Sequence, residues 1–259
     1  MEPTSLYDSY DLAQVTLYLF WIFFAGLIFY LQRESQREGY PVETDVPGAM
    51  RSQSLLFFPP AKTYLMPHGG TRTAPNGVAD TRVVAGSPSA RFPGAPIVPT
   101  NKNPMLDNIG PGSWAERADT PDLTIDGRNK IVPMRVATNY KTESRDPDPR
   151  GFAVFGCDYE AGGTVVDIWV DRSECLIRYL EVEVPVGKTT RRVLLPMTFS
   201  SIKTNPNRVI VEAIRAEHFA SVPGTANPDA VTLLEEEKIC AYYGAGTLYA
   251  VQARQEPTI

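Results

Sequence analysis

The residue types best suited to chemistry are sparse and scattered in this chain. Its two histidines, His68 and His218, lie 150 positions apart (218 − 68), so no metal-ligand spacing exists. Three cysteines, Cys157, Cys175 and Cys240, form neither a CxxC pair nor a CxxCH haem-attachment motif. An odd, unspaced set fits a reducing compartment and inert thiols. Walker, GxGxxG and GxSxG motifs are absent from the sequence, and no nucleophile stands in a pattern with a base, so an enzyme in its own right is not expected. What remains is a set of carboxylates beside cations. Asp171 and Glu174 flank the turn Arg172-Ser173, Arg178 follows Glu174 by four residues, and Asp122 and Asp126 precede Asn129-Lys130-Ile131. In an anonymous β-domain, acids at a hairpin tip are ordinarily solvated turn residues. Buried among other charges, the same acids acquire shifted pKa values and can pass protons near neutral pH.

The elements that must position these acids are strands. Thr164 to Asp171 alternates, with Val166, Ile168 and Val170 on one face. Arg178 to Val184 alternates, with Leu180, Val182 and Val184 inward and Glu181 and Glu183 outward. Arg192–Leu195 and Arg208–Ile214 read as two further strands, separated by the turn signals Glu160-Ala161-Gly162-Gly163, Val186-Gly187-Lys188 and Asn205-Pro206-Asn207. Short strands at this spacing predict a small antiparallel sheet or barrel. One helix follows. Thr232-Leu233-Leu234-Glu235 is a capping box, Glu236 and Glu237 suit the positive end of the helix dipole, and Gly244 is expected to end the helix near Tyr243.

Leu12 to Leu31 is a different kind of segment: 20 consecutive residues (31 − 12 + 1) without a charge. At about 1.5 Å per residue it spans roughly 30 Å, the hydrocarbon thickness of a bilayer. A signal peptide would begin with basic residues and end at a small-residue cleavage site. Here Glu2, Asp8 and Asp11 precede the run, and Tyr30, Leu31 and Gln32 close it. An interfacial helix would carry a polar stripe, and none is present. Arg33 and Arg37 follow the run, with Arg51 a little later, whereas no Lys or Arg precedes it. The positive-inside bias places residues 1–11 outside and the remainder in the cytoplasm. Tyr7, Tyr10 and Tyr30 are placed to anchor the interfaces, while Phe20, Trp21, Phe23 and Phe24 lie mid-span.

Between span and strands, residues 32–112 are rich in Pro and Gly, which favour extended backbone. The segment still holds Leu55, Leu56, Phe57, Phe58, Tyr64, Leu65, Met66, Ile97 and Val98, which a disordered linker would lack. Such a segment must lie on another surface, because it cannot form its own core. Net charge is −5, which argues against a nucleic-acid partner reached by electrostatics.

Several collinear motifs carry a resemblance over nearly the whole chain. They are Arg37-Glu38-Gly39-Tyr40-Pro41, Leu65-Met66-Pro67-His68-Gly69, Ile109-Gly110-Pro111-Gly112-Ser113-Trp114, Asn129-Lys130-Ile131-Val132-Pro133-Met134, Val166-Asp167-Ile168-Trp169-Val170-Asp171, Arg178-Tyr179-Leu180-Glu181, Leu233-Leu234-Glu235-Glu236-Glu237-Lys238-Ile239 and Gly244-Ala245-Gly246-Thr247-Leu248-Tyr249-Ala250. In this order they resemble the H subunit of the photosynthetic reaction centre of purple bacteria.

The resemblance implies a single N-terminal transmembrane helix (12–31), a surface segment (32–112) lying across the L and M subunits, and a cytoplasmic PRC-type antiparallel β-barrel domain (113–259) with a short C-terminal helix at about 233–243. It implies a chain that binds no pigment as a principal ligand. Bacteriochlorophyll, bacteriopheophytin, quinones, non-haem iron and a carotenoid belong to L and M, in the intracytoplasmic (chromatophore) inner membrane. Membrane phospholipid is a further expected partner, seated by Tyr30, Arg33 and Arg37 at the cytoplasmic interface; an antenna ring and a cytochrome subunit are candidate neighbours. The implied role is to cap the quinone sites, stabilise the complex and help deliver protons to the secondary quinone. Glu174 takes that role by its matched position, with Asp171, Asp122, Asp126 and Arg178 as companions. Better-known relatives carry an acid and two histidines as a proton uptake point where this chain has Thr124, Asp126 and Arg128; Asp126 is the expected substitute. His68 reads as a surface or packing histidine. The rival reading is a membrane-tethered PRC-barrel adaptor for a cytoplasmic protein.

Overall fold

The computed structural model describes residues 11–40, 58–78, 82–92 and 94–255. Glu2, Tyr7, Asp8, Tyr10, Pro41, Arg51, Leu55, Leu56 and Phe57 lie outside them. The chain divides into two compact units, residues 1–82 and 83–259.

The first unit begins with helix α1 (Leu12–Glu34). The Asp11 carboxylate accepts the Ala13 N–H at 2.9 Å and caps its start. At about 1.5 Å per residue the helix is roughly 34 Å long, enough to cross a bilayer. None of its residues is buried within the chain, so its apolar surface requires lipid or partner helices. Helical geometry continues as a short 3-10 turn, Ser35–Arg37. A small hairpin follows, β1 (Lys62–Leu65) paired antiparallel with β2 (Thr71–Ala74), with His68 exposed in its turn. Thus part of the Pro/Gly-rich segment forms local strands.

The second unit holds a further hairpin, β3 (Gly86–Pro88) with β4 (Ile97–Pro99), and a seven-stranded sheet. The sheet's strands are β5 (Ile131–Pro133), β6 (Ala153–Phe155), β7 (Ala161–Asp171), β8 (Leu176–Val186), β9 (Thr189–Pro196), β10 (Ser201–Thr204) and β11 (Asn207–Ile210). Their spatial order is β10-β11-β6-β7-β8-β9, with β5 also on β7. All pairs are antiparallel except β11 with β6, which is parallel, so the sheet is mixed where the strand spacing predicts a purely antiparallel one.

Two register shifts in the β7–β8 ladder, at Val165/Asp167 and Trp169/Val170, change the burial pattern from that expected. Each extra residue flips the phase of the strand. Val165, Ile168, Trp169, Val170 and Asp171 are all buried, and Val166 is only half-buried. Glu181, expected to face outward, is also buried. Its carboxylate oxygens are satisfied: Arg135 and Arg192 donate to them, as does the Trp169 indole N–H at 2.8 Å.

Helix α2 (Leu233–Tyr249) starts at the expected capping box. The Glu235 N–H donates to Thr232 Oγ1 at 3.1 Å, and Glu235 Oε2 accepts the Thr232 N–H at 2.8 Å. It does not stop at Gly244. A Cβ on Gly244 would lie 2.7 Å from the Pro111 carbonyl oxygen, and one on Gly246 would lie 2.3 Å from Ile214 Cγ2. These glycines permit close approach inside the helix instead of ending it. Ile239, Tyr242, Tyr243 and Ala245 pack with Phe219, Ile214, Ile168 and Leu180 in the core.

Candidate functional site: a charge cluster at the β7–β8 turn

Asp171 is the last residue of β7 and its side chain is fully buried. Its Oδ1 accepts the N–H groups of Ser173 and Glu174 at 2.8 and 3.0 Å. This side-chain–backbone turn carries the chain into β8 through a four-residue connection (172–175) in place of the expected two. Cys175 closes the turn in the left-handed region, at φ 53°. Arg178, two residues into β8, donates from Nε to Asp171 Oδ2 at 3.2 Å and pairs with Glu174 at 3.5 Å.

Lys130 enters from the neighbouring strand. It immediately precedes β5, and the Arg172 N–H donates to its carbonyl at 2.9 Å. Its ammonium lies 3.5 Å from Asp122, 3.7 Å from Asp171 and 3.6 Å from Glu174. The Lys130 N–H also donates to the Asp122 carbonyl at 2.8 Å, bringing that acid to the same place. One lysine and one arginine therefore bind three carboxylates into a single network. Its centre is buried, while the Asp122 and Glu174 side chains are about half exposed (45% and 50%).

Burial pushes the Asp171 carboxyl up, but the two turn N–H groups, Lys130 and Arg178 outweigh it and hold the group below the usual carboxylate range. Burial pushes Lys130 down, and Asp171, Asp122 and Glu174 more than reverse that. Arg178 behaves likewise: Asp171 and Glu174 overcome its desolvation. Asp171 is thus a fixed anion within this network.

Asp126 stands apart. It occupies the tip of the loop closed by the Leu123–Asn129 bridge and pairs at 3.3 Å with Arg128, both side chains being about two-thirds exposed. The structure therefore brings Asp122, Asp171, Glu174 and Arg178 together and leaves Asp126 outside.

Two participants were not singled out in the sequence. Lys130 appeared there only inside a motif, although a cation just before a buried apolar strand is a legible signal. Glu236, assigned to the helix dipole, accepts the Tyr179 hydroxyl at 2.7 Å. Burial pushes its carboxyl up, and the lowering influence of Tyr179, Arg178 and Arg117 does not cancel that. Tyr179 is itself buried, which raises its hydroxyl pKa. Only the fold places Glu236 near β8, so local pattern alone could not reveal it. Among the described residues, no group of three or more His, Cys, Asp and Glu is arranged to hold a metal ion.

In the first unit, Tyr30 is exposed on α1 and Arg33 is half-buried at its end. Arg37, expected beside them at the lipid interface, is turned inward. Its guanidinium binds Glu34 at 2.7 and 2.9 Å and the carbonyls of Pro60 and Ala74 at 2.6 and 3.1 Å. It clamps the helix end to the β1–β2 hairpin, because a buried guanidinium requires partners for its fork of donors.

Two known families match the chain. Residues 4–136 match the photosynthetic reaction centre H-chain N-terminal region, more than half of the chain. The chain belongs to the reaction centre H-chain family. Residues 141–218 match the PRC-barrel domain, which covers β6 to β11 and the β7–β8 turn. This H chain is thus a photosynthetic reaction centre subunit with, among the described residues, one apolar helix of membrane-spanning length, Leu12–Arg37 including its 3-10 end, and a mainly β domain. Membership carries association with the L and M subunits of a complex that holds pigments and quinones.

Proposed function

We propose that this H chain caps the cytoplasmic face of L and M in the bacterial inner membrane and helps deliver protons to the secondary quinone. The observation that carries this reading is the network around Lys130, with a fully buried Asp171 at its centre and half-exposed Glu174 and Asp122 at its edge. A doubly reduced quinone needs two protons in a site screened from bulk water, so they must arrive through positioned acids and water. The half-exposed side chains of Glu174 and Asp122 can meet solvent. Asp171, with its lowered pKa, stays ionised and sets the local field. Glu236, whose carboxyl is pushed up by burial, is a further candidate to carry a proton. Asp126, exposed and paired with Arg128, is a surface collection point at most.

The flanks of α1 support an orientation with the N-terminus outside, since Arg33 and Arg37 follow the span. Tyr30 and Arg33 remain available to an anionic phospholipid at the cytoplasmic interface, with Arg37 serving as the clamp behind them.

The test is Glu174→Gln in the assembled complex, read by flash-induced kinetics. The second, proton-coupled electron transfer to the secondary quinone should slow by about tenfold or more, as expected for loss of a positioned proton carrier. The first electron transfer, which requires no proton, should keep its rate. An unchanged second transfer would remove Glu174 from the pathway.

A further inference from the structure

A second polar feature lies along the same sheet and plays no part in the proton reading. It is a cavity of about 760 Å³ whose wall includes Arg135, Lys141, Arg150 and Arg192. These cations come from separate parts of the fold: the stretch after β5, the turn before β6, and β9. The wall includes one carboxylate, Asp167, and that group is already saturated. Its Oδ1 accepts the Ile168 N–H at 2.8 Å, and its Oδ2 accepts the backbone and guanidinium of Arg135 at 3.3 and 3.1 Å.

The four cations are not equally committed. Arg135 is held by Asp167, Glu181, Asp229 and the Pro228 carbonyl, and forms a rigid wall. Arg192 bonds Glu181 at 3.2 Å and pairs with Glu183 at 3.9 Å, yet its side chain is 57% exposed. Arg150 lines the cavity and pairs with its near neighbour Asp148 through Nε and Nη2, which leaves its Nη1 without a hydrogen bond among the described residues. Lys141 is exposed and has no ion pair among the described residues. Thr138, Tyr140 and Thr142 add hydroxyls to the wall. A concave site of this size falls within the range of small-ligand pockets. Three of these cations are paired with carboxylates and, among the described residues, Lys141 is not; cationic donors and hydroxyls on one concave surface are the combination that recognises phosphate.

We propose that this groove binds a phosphate-bearing anion, with Lys141 and Arg150 as the ligand-facing cations and Arg135 as the fixed wall. The phosphate can belong to a soluble molecule or to a lipid headgroup, and the chemistry recognised is the same. The experiment titrates the detergent-solubilised complex at low ionic strength, by calorimetry, with inorganic pyrophosphate and separately with monomeric dihexanoyl phosphatidylglycerol. Dihexanoyl phosphatidylcholine serves as the zwitterionic control. Uptake of pyrophosphate identifies a soluble ligand; uptake of phosphatidylglycerol alone identifies a headgroup. Either should weaken about 100-fold in Lys141→Gln/Arg150→Gln, tenfold for each lost charge-assisted contact. The single variant Lys141→Gln, which removes an exposed and unpaired charge, should bind about tenfold less tightly without disturbing the fold. Uptake of neither probe, or equal affinity in wild type and both variants, overturns the proposal.

Discussion

Replacing Asp171 by Asn isolates the charge at the centre of the β7–β8 turn without changing its volume. The amide oxygen can keep the Ser173 and Glu174 N–H bonds at 2.8 and 3.0 Å. The amide NH₂ then takes the place of Oδ2, which accepts from Arg178 at 3.2 Å and faces Lys130 at 3.7 Å. Donor meets donor, and a charge-assisted hydrogen bond of about 1.5–3 kcal/mol is lost. The longer Lys130 pair adds about 0.5 kcal/mol, because that ammonium keeps Asp122 and Glu174. Burying an amide is easier than burying a carboxylate, which offsets part of the loss. The expected local destabilisation is about 2 kcal/mol at pH 7, or roughly 30-fold faster amide exchange through local opening.

The pH dependence has a definite sign. In the folded chain Asp171 is held below its ordinary value, with burial opposed and outweighed by the turn N–H groups, Lys130 and Arg178. Its stabilising contribution is fully present above the unfolded carboxylate value of about 3.9, and is lost as pH falls through the lower folded value. Asparagine does not titrate. The gap between wild type and variant should therefore be constant from pH 8 to about 5 and narrow below about 4. Hydrogen exchange of β7 and β8 peptides in the assembled complex, corrected for intrinsic rates, measures it. A change below about twofold at pH 7, or a gap that widens on acidification, would refute the reasoning.

Two further substitutions probe the packing. Gly246→Ala places a Cβ 2.3 Å from Ile214 Cγ2 and 2.7 Å from the Ala213 carbonyl oxygen. Although Ala is the better helix former, the overlap should cost about 1–3 kcal/mol and lower the thermal midpoint of the complex; a raised midpoint would contradict the close approach. Arg135→Met leaves Asp167 and Glu181, both buried, with fewer donors. The loss should be about 3 kcal/mol, softened by Arg192 and the Trp169 N–H at Glu181, and visible as increased proteolysis around residues 224–230.

Local signals were legible where one element's own residues decide its structure. Leu12–Leu31 declares a span through length and lack of charge, and α1 begins at Leu12 as read. Thr232 and Glu235 declare a helix start, and the capping box forms. Motif order pointed to the H-chain family, which the match over residues 4–136 shows. The alternation in β8 correctly buried Leu180, Val182 and Val184. It failed at Glu181, because a two-residue period identifies faces without revealing whether both are covered. It failed in β7 because bulges shift the phase and leave no mark in hydrophobicity.

The sequence by itself determined the span, the cap of α2, the strand pair that carries Asp171 and Arg178, and the family. Each depends on hydrophobic length, hydrogen-bond chemistry within a few residues, or motif order. Only the tertiary structure decided that Lys130 and Asp122 join Asp171 and Glu174, that Asp126 does not, that Glu236 meets Tyr179, and that Gly244 and Gly246 lie inside a helix. Those outcomes depend on distances between groups far apart in the chain. Electrostatic energy and steric overlap are functions of that separation, which no local pattern specifies.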